Sequence, residues 1–210
     1  MSVAEARKYY YDNGYLKATN FINKELLKYL QYSLSITTNE NVVSQYWGYS
    51  KNNDIILSKN KNLLNADITA YGTIIGDTLL AYCAPYYSKI IGKRLMPSYS
   101  FMRIYQKTQT LESHTDRPSC QYSITVPLCS SAARWPFFVK DGEKETVKVT
   151  MNVGDAVLYM GERVSHWREA LEEDLSHNIF LHYVDADDLS YAPYIYDGRL
   201  ALGLSANSRN

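Results

Sequence analysis

The chain has 210 residues, of which 46% are hydrophobic and 21% are charged, an ordinary composition for a globular protein with one sizeable core. Its 22 basic residues balance its 22 acidic residues, so the net charge does not favour nucleic acid or an anionic membrane as a partner. The sequence contains neither a signal-peptide core nor an apolar run of membrane-spanning length, and its three cysteines lack CxxC spacing. We therefore expect a cytoplasmic protein with free thiols.

The N-terminal part of the chain, residues 1–92, is predicted to be mainly helical. Asn23 can cap a helix in which leucines recur at the spacing of one helical face. A second helical region is predicted from residue 66 to residue 91, where Pro85 is expected to kink or split the helix. Gly92 stands where a C-terminal cap belongs.

From residue 98 onwards the apolar pattern alternates with a period of two, which is typical of β-strands. Eight short apolar runs follow one another, and turn sequences such as Asp141-Gly142 and Gly154-Asp155 separate several of them. No long crossover helix interrupts the runs. The pattern therefore predicts a closed or two-sheet antiparallel architecture, and eight is the number of strands in a jelly roll.

These patterns predict one domain that spans residues 1–210. Within it, the helical part at 1–92 is expected to support a strand-rich core at 98–186. A polar stretch at 50–62 is predicted to be a loop, and the end of the chain, residues 199–210, is expected to be a loose tail.

All four histidines fall in the strand-rich part of the chain. His114 and Asp116 are two residues apart, so on a strand they share a face, and His166 lies in the seventh predicted strand. A jelly roll places its second and seventh strands side by side, which brings the three side chains together. Two imidazoles and one carboxylate leave coordination positions open, as non-haem Fe(II) enzymes require. A zinc hydrolase site is the chemical alternative, and a packed core role for His166 is the structural one.

A resemblance to a known family extends over about residues 98 to 186, in HTDRPSCQYSIT, VGDAVLYMG, SHWREAL and FLHYVD. These segments resemble the Fe(II)/2-oxoglutarate-dependent dioxygenases, in the branch that the prolyl hydroxylases share. The segment GYLKATNFINKELLKYL also resembles the strand-then-helix opening of such enzymes.

The resemblance implies a mainly β protein with N-terminal helices (α+β), in which helices flank a double-stranded β-helix, a jelly roll of eight core strands. It implies that His114, Asp116 and His166 hold Fe(II), and that 2-oxoglutarate chelates the metal. It further implies that O2 and 2-oxoglutarate are consumed in hydroxylating a C–H bond, with release of succinate and CO2 and with ascorbate as a supporting reductant.

The cation that holds the distal carboxylate of 2-oxoglutarate is predicted to differ from that of the family. The prolyl-hydroxylase branch has an arginine or lysine about nine or ten residues after the distal histidine, where this chain reads Leu175-Ser176-His177-Asn178. Arg168 is the predicted replacement, because it shares a face with His166 and its planar guanidinium suits a carboxylate. Alternatively, Arg168 forms a surface ion pair with Glu169 or Glu172. The other candidates for this anchor are His177, Arg103 and Arg117.

Other residues are expected to line the same pocket. Tyr105 lies where the family often has a tyrosine whose hydroxyl helps to hold the co-substrate. Gln121, Ser123 and Thr125 share one strand face, and polar groups facing inwards suit a cavity better than a dry core. His182 is expected either near the pocket mouth or as a hydrogen-bonded core histidine.

The leading functional hypothesis is therefore an Fe(II)- and 2-oxoglutarate-dependent oxygenase. One alternative is a jelly-roll interaction module that keeps a metal but does not turn over, and another is a cupin-like metalloenzyme that does not use 2-oxoglutarate. The sequence carries no motif that distinguishes a peptidyl side chain from a small molecule as the substrate.

Overall fold

The computed structural model describes residues 1–39, 48–51, 54–56, 67–130 and 135–204. Within these residues the chain forms three α-helices and two 3-10 segments, Pro118–Cys120 and Leu189–Gly198. The helices are α1 (Val3–Asn13), α2 (Lys24–Thr37) and α3 (Ile74–Ile91). Asn23 caps the start of α2, where its side chain accepts a hydrogen bond from the amide of Leu26, and Gly92 caps the end of α3, so both predicted caps are confirmed.

Twelve strands in the described residues form two antiparallel sheets. In chain order they are β1 (Tyr15–Ala18), β2 (Gly48–Lys51), β3 (Asp54–Ile56), β4 (Asp67–Tyr71), β5 (Leu95–Gln106), β6 (Leu111–His114), β7 (Tyr122–Ser130), β8 (Phe137–Asp141), β9 (Val147–Val149), β10 (Ala156–Met160), β11 (Val164–Arg168) and β12 (Leu175–Asp185). The larger sheet has the order β1-β10-β7-β12-β5-β4-β2-β3, and the smaller has the order β6-β11-β8-β9. The prediction of antiparallel sheets combined with helices is confirmed, and each of the eight predicted runs contains one of the strands β5–β12.

The N-terminal part contains more strand than the sequence pattern predicted. The region at 66–91 was predicted to be helical throughout, but its first residues form β4, in which Ile68 pairs with Ile104 of β5. The helix begins only at Ile74, after Thr73, whose side chain caps it. Branched residues and pairing with a long neighbouring strand favour the extended conformation here.

Helix α3 runs through Pro85 without a split, so of the two expected effects of the proline the split does not occur. Leu80 before the proline and Tyr87 after it are both fully buried, so packing on one core holds both halves of the helix together. In the polar stretch predicted as a loop at 50–62, the described residues belong to β2 and β3, and the remainder lies outside the described residues.

The larger sheet separates two layers of packing. On its outer face, residues such as Ile124, Leu158 and Ile179 pack with the helices. On its inner face, Val157 and Tyr159 pack with residues of the smaller sheet. Because side chains alternate along a strand, each strand of the larger sheet has one set facing the helices and one set facing the smaller sheet.

The chain after β12 is held more firmly than expected. Arg199 lies within the stretch predicted to be a loose tail, but its guanidinium pairs with Asp77 of α3 at 2.8 Å, and their side chains are 0% and 2% exposed. Arg199 also donates to the carbonyls of Ser98 and Leu204. Arg199 is therefore held in the fold, because a buried charge needs its partners, and residues 205–210 lie outside the described residues.

This ion pair supports a prediction about stability. Replacing Arg199 with alanine leaves the Asp77 carboxylate buried without its cation, which typically costs about 3–5 kcal/mol. We expect a loss of that size in the free energy of unfolding measured by denaturant titration. Replacing Arg94 with alanine is the control, because its ion pair with Asp187 is exposed and contributes at most about 1 kcal/mol. Equal losses in the two variants would contradict the prediction.

All three cysteines are free thiols, as predicted. None of the helices in the described part of the chain combines the length and the apolar character that crossing a membrane requires.

Candidate metal centre and adjoining pocket

The structure brings the three predicted metal ligands together at one end of the smaller sheet. Strands β6 and β11 are antiparallel neighbours, and His114 lies directly opposite His166, with ring centroids 4.3 Å apart. The Oδ1 atom of Asp116 lies 3.5 Å from Nε2 of each histidine. One ligand atom from each residue lies within 4.8 Å of the others, which is close enough to hold a single ion.

Both histidines are oriented by the same local contact. Nδ1 of His114 lies 2.7 Å from the carbonyl oxygen of Glu112, and Nδ1 of His166 lies 2.9 Å from that of Val164. A carbonyl oxygen only accepts, so Nδ1 of each ring carries a proton, and Nε2 is the nitrogen that can either share a proton with Asp116 or bind a metal. Both Nε2 atoms lie beside Asp116, which is the arrangement that metal binding requires.

The carboxylate of Asp116 is kept in its ionised form. Burial raises the pKa of this group, but hydrogen bonds from His114 and His166 outweigh the effect, and the net pKa lies well below the usual value. The pKa of His114 is raised, first by its hydrogen bond to Asp116. The ionised carboxylate of Asp116 therefore lies beside two imidazoles, and a divalent cation can take the place of the protons that the three side chains share.

A hydrogen-bond relay holds the second oxygen of Asp116. Oγ of Ser123 donates to Oδ2 of Asp116 at 3.1 Å and lies 2.8 Å from Nδ1 of His182. Burial lowers the pKa of His182 to about 4, so its ring is neutral. The serine has one proton, which can go to Asp116 or to the carbonyl of Cys120 at 3.1 Å; when it goes to either, Nδ1 of His182 carries a proton and donates it to Ser123.

Gly161 makes room for the loop that carries Asp116. The amide of Asp116 donates to the carbonyl of Gly161 at 2.8 Å. A Cβ atom at Gly161 would lie 2.1 Å from the carbonyl oxygen of Cys120 and 2.5 Å from Oδ2 of Asp116. Only glycine therefore allows the backbone after β10 to approach this loop so closely.

Replacing Gly161 with alanine is accordingly expected to displace Asp116 and to weaken divalent metal binding about 10–100-fold, the usual effect of disturbing the support of a metal ligand. Calorimetric titration with Mn(II) measures the change. Gly142 provides the control, because an added Cβ there meets no atom within 4 Å, although its φ of +57° makes alanine mildly strained. Unchanged affinity in the Gly161 variant would contradict the steric argument.

A second group of potential ligands, Asp116, Cys120 and His182, also lies within 4.8 Å. Burial raises the pKa of the Cys120 thiol to about 12, and the hydroxyl of Tyr99 lies 3.1 Å from its sulfur. Cys120 is therefore a protonated, buried thiol, which is a poor metal ligand. The donor set of His114, Asp116 and His166 is the better site, and it suits Fe(II) or Zn(II).

A buried arginine lies on the strand that carries His166. Arg168 is 2% exposed, and its guanidinium packs over the ring of Trp135 at 4.6 Å. Nη1 donates to the carbonyl of Trp135 at 2.8 Å, and Nη2 donates to Oδ1 of Asn178 at 3.2 Å. Burial lowers its pKa to about 10, so the group remains a cation at neutral pH. The alternative of a surface ion pair with Glu169 or Glu172 is wrong, because the side chain points into the protein.

The surroundings of Arg168 lack the groups that usually satisfy a buried cation. Among the described residues, Nε of Arg168 has no hydrogen-bond partner, and no carboxylate lies within ion-pair distance of the guanidinium. The buried Oγ1 of Thr125 also has no partner among the described residues. Tyr105 is fully buried, and its ring packs on that of Trp135 at 4.8 Å. A cation and a hydroxyl left unsatisfied inside a protein indicate a place for an anionic ligand.

Two further predicted pocket residues lie near these groups. The guanidinium of Arg103 packs over the ring of Tyr105 at 4.2 Å, and its charge affects the pKa of His114. His182 lies beside Ser123, close to the metal ligands rather than in the apolar core. The structure therefore places both near the site.

Three further predicted pocket residues make other contacts in the structure. Arg117 donates two hydrogen bonds to Asp197, so its guanidinium already has a carboxylate. Gln121 precedes β7, and its Oε1 accepts from the amide of Asp185 instead of lining a cavity. His177 lies on the opposite face of β12 from Asn178, because successive side chains of a strand alternate, and it shares the outer face with Ile179 and Leu181.

The sequence interpretation did not assign a role to Asn178 or Trp135. Asn178 lies in the stretch where the family has its cation, and it hydrogen-bonds Arg168 across the two sheets. Its spacing of four residues from His182 places both on the inner face of β12, and this signal was available in the sequence. Trp135 precedes β8 and Arg168 ends β11, so their contact joins two separate parts of the chain and has no local signal.

No family model matches the sequence, and no curated protein matches it. Solved structures do match. An oxidoreductase of the 2OG-Fe(II) oxygenase family from Burkholderia pseudomallei is 9% identical, with a TM-score of 0.68 over 87% of this chain and 91% of that one. A prolyl hydroxylase from Trichoplax adhaerens, in complex with a hypoxia inducible factor peptide fragment, is 14% identical, with a TM-score of 0.63 over 90% and 92%.

A third similar structure is the non-heme alpha ketoglutarate dependent epimerase from nogalamycin biosynthesis. It is 15% identical, with a TM-score of 0.63 over 88% of this chain and 83% of that one. At such low identities the likeness concerns the fold. The coarser part of the implied fold is therefore confirmed: antiparallel sheets combined with helices, in an architecture similar to that of these oxygenases.

Proposed function

We propose that the protein is an Fe(II)- and 2-oxoglutarate-dependent oxygenase that hydroxylates a C–H bond of a peptidyl side chain or a small molecule. The observation that carries the proposal is the combination of two features on one strand. His166 of β11 faces His114 and Asp116, and Arg168, two residues further on, is a buried cation without an acidic partner among the described residues. A metal triad alone fits several metals, but this pairing fits a metal-chelating dicarboxylate.

The metal ligands would be Nε2 of His114, Nε2 of His166 and the carboxylate of Asp116. When bound, Fe(II) together with 2-oxoglutarate and O2 supplies the oxidising power for the reaction, with release of succinate and CO2. Ser123 and His182 hold Asp116 in one orientation, so the carboxylate does not have to reorganise when the metal binds.

Arg168 would bind the distal carboxylate of 2-oxoglutarate. Its Nε and one Nη2 proton lie on the same edge of the guanidinium, and this edge suits two carboxylate oxygens. The cation comes from β11, whereas the prolyl-hydroxylase branch takes it from the strand after it. Asn178 of β12 lies in the stretch where that branch has its arginine or lysine. Here Asn178 accepts a hydrogen bond from Arg168 and so helps to hold the replacement cation. Thr125 and Tyr105 would contribute hydroxyl groups to the same pocket.

Phe137 and Tyr159 would exclude water from one side of the metal centre. The ring of Tyr159 lies 4.6 Å from that of His166, and the ring of Phe137 lies 5.6 Å from it. Both side chains are almost completely buried. The exposed side of the centre is at His114, whose side chain is 40% exposed, and we infer that the substrate approaches there.

We also infer that strands β5–β12 form the eight-stranded jelly-roll core of one domain, with α1–α3 as its support. The order β10-β7-β12-β5 within the larger sheet, opposite β6-β11-β8-β9, supports this assignment. The similar structures contain different kinds of bound molecule: one is in complex with a peptide fragment, and another with Fe3+, alpha ketoglutarate and nogalamycin RO. Both substrate classes therefore remain in the proposal.

Anaerobic spectroscopy tests the proposal without knowledge of the substrate. Fe(II) chelated by the keto and carboxylate oxygens of 2-oxoglutarate absorbs in the visible range, so adding both to the protein should produce a new band, whereas Fe(II) with succinate should not. N-oxalylglycine, a 2-oxoglutarate mimic, should compete. Metal binding without the band would favour a cupin-like enzyme or a metal-binding module, and lack of metal binding would refute the proposed site.

A further inference from the structure

A segment near the end of the chain returns to the loop that carries Asp116. The segment comprises residues 189–204 and follows β12. The guanidinium of Arg117, the residue after Asp116, donates two hydrogen bonds to the carboxylate of Asp197, at 2.8 and 3.0 Å. The side chain of Asp197 is 4% exposed, and the hydroxyl of Tyr71 also donates to it. A bidentate ion pair therefore joins two parts of the chain that are 80 residues apart.

The backbone of the segment is bent to make this contact. Tyr196 and Asp197 have φ values of 53° and 54°, and Gly198 follows with 74°. Residues other than glycine rarely adopt the left-handed conformation, and two in succession persist only where surrounding contacts fix them. The bonds of Asp197 fix one side of the bend, and the buried pair of Arg199 with Asp77 fixes the other.

Aromatic packing holds the other end of the ion pair. The guanidinium of Arg117 lies over the ring of Tyr99 at 4.7 Å, and Tyr99 stacks on Tyr71 at 4.9 Å. Tyr99 also packs against His182, which belongs to the relay that supports Asp116, at a centroid distance of 4.5 Å. The guanidinium of Arg117 is therefore held at its edge by the carboxylate of Asp197 and on its face by the ring of Tyr99.

We propose that Asp197 is a positioning residue for the metal centre. Ser123 and Gly161 hold Asp116 from one side, through its carboxylate and its amide. Asp197 holds the loop from the other side, through the guanidinium of Arg117. Residues 189–204 thus help to hold the loop that carries Asp116. This inference rests on the proposed function, because it assigns a role at the same metal site.

The test is a titration of the metal-free protein with Mn(II), a redox-stable substitute for Fe(II), followed by calorimetry. Replacing Asp197 with asparagine keeps the shape of the side chain and removes its charge, and we expect binding about tenfold weaker, the lower end of the effect of disturbing the support of a metal ligand. Asp197→Glu, which restores the charge, should recover part of the loss. Asp187→Asn is the matched control, because it makes the same chemical change in an exposed ion pair with Arg94 and should not alter the affinity.

A variant that is only less stable should not lose affinity for the metal. Leu79→Ala, in the helical core of α3, should lower the melting temperature but leave Mn(II) affinity unchanged when measured well below that temperature. If Asp197→Asn behaves like Leu79→Ala, the positioning role is overturned. If Asp197→Asn does not fold, Arg117→Gln removes the same pair from the other side and should show the tenfold loss. If the parent protein itself does not bind Mn(II), the proposed function fails rather than the role of Asp197 alone.

Discussion

Replacing Asp116 with alanine is expected to abolish Fe(II) binding while the protein keeps its fold. Asp116 supplies the carboxylate between His114 and His166, with Oδ1 at 3.5 Å from both Nε2 atoms. Disturbing the groups around a metal ligand already costs about 10–100-fold in affinity, so removing the charged ligand should exceed that loss. Anaerobic calorimetry with Fe(II) measures the affinity, and circular dichroism reports whether the fold is kept.

Glu112→Ala is the control for this experiment. Glu112 is an exposed acidic residue on the same strand as His114, and it orients that histidine only through its backbone carbonyl. Its replacement should leave Fe(II) affinity unchanged. An Asp116→Ala protein that binds iron like the parent would place the metal elsewhere and would remove the basis of the proposed function.

The grouping of the proposed metal ligands could be predicted from the sequence because strand geometry is simple. His114 and Asp116 are two positions apart, with only Thr115 between them, and the eight apolar runs gave the order of the strands in which His114 and His166 lie. In the structure, β6 pairs with β11 in the register that places the two histidines opposite each other. Period, order and topology were therefore sufficient for the two histidines, whereas Asp116 follows the end of β6 and is held by Gly161 and Ser123.

The contacts of the other basic residues could not be predicted in this way. Arg117 stands next to a metal ligand, but its partner is Asp197, which lies far away in the sequence on a bent segment without a periodic pattern. Arg199 is buried because Asp77, which lies far away in the sequence on α3, offers it a carboxylate. Such pairs form between residues that are distant in the sequence and meet only in the folded protein, so local sequence patterns do not predict them.

Strand β4 shows the same limit for secondary structure. The segment before α3 fits a helical pattern, and only pairing with β5, from Ile68 opposite Ile104 to Tyr71 opposite Phe101, makes it extended. Tertiary pairing overrides the weak local preference of a short segment. The sequence did indicate a difference from the family that it resembles, because the stretch before Asn178 has no arginine or lysine.

Replacing Arg168 with alanine is expected to weaken 2-oxoglutarate binding by two to three orders of magnitude. If its guanidinium holds the distal carboxylate, the variant leaves that charge in a buried pocket without its cation, which costs about 3–5 kcal/mol. Fe(II) binding should persist, because Arg168 is not a ligand. Arg168→Lys should recover part of the loss, since it keeps the charge but not the planar, two-pronged geometry. Anaerobic titration of the Fe(II)-loaded protein with 2-oxoglutarate, followed by its visible absorption, measures all three affinities.

Two further variants separate a lost charge from lost packing and from a different anchor. Arg168→Met keeps most of the contact with the ring of Trp135, so a loss of 2-oxoglutarate affinity like that of the alanine variant would attribute the effect to charge. Arg103→Ala tests the other arginine near the pocket, which packs on Tyr105. A large loss in Arg103→Ala with little change in Arg168→Ala would move the anchor from β11 to β5. Unchanged affinity in every one of these variants would leave the buried cation of β11 without a carboxylate to bind, and 2-oxoglutarate would no longer be the co-substrate that this pocket fits.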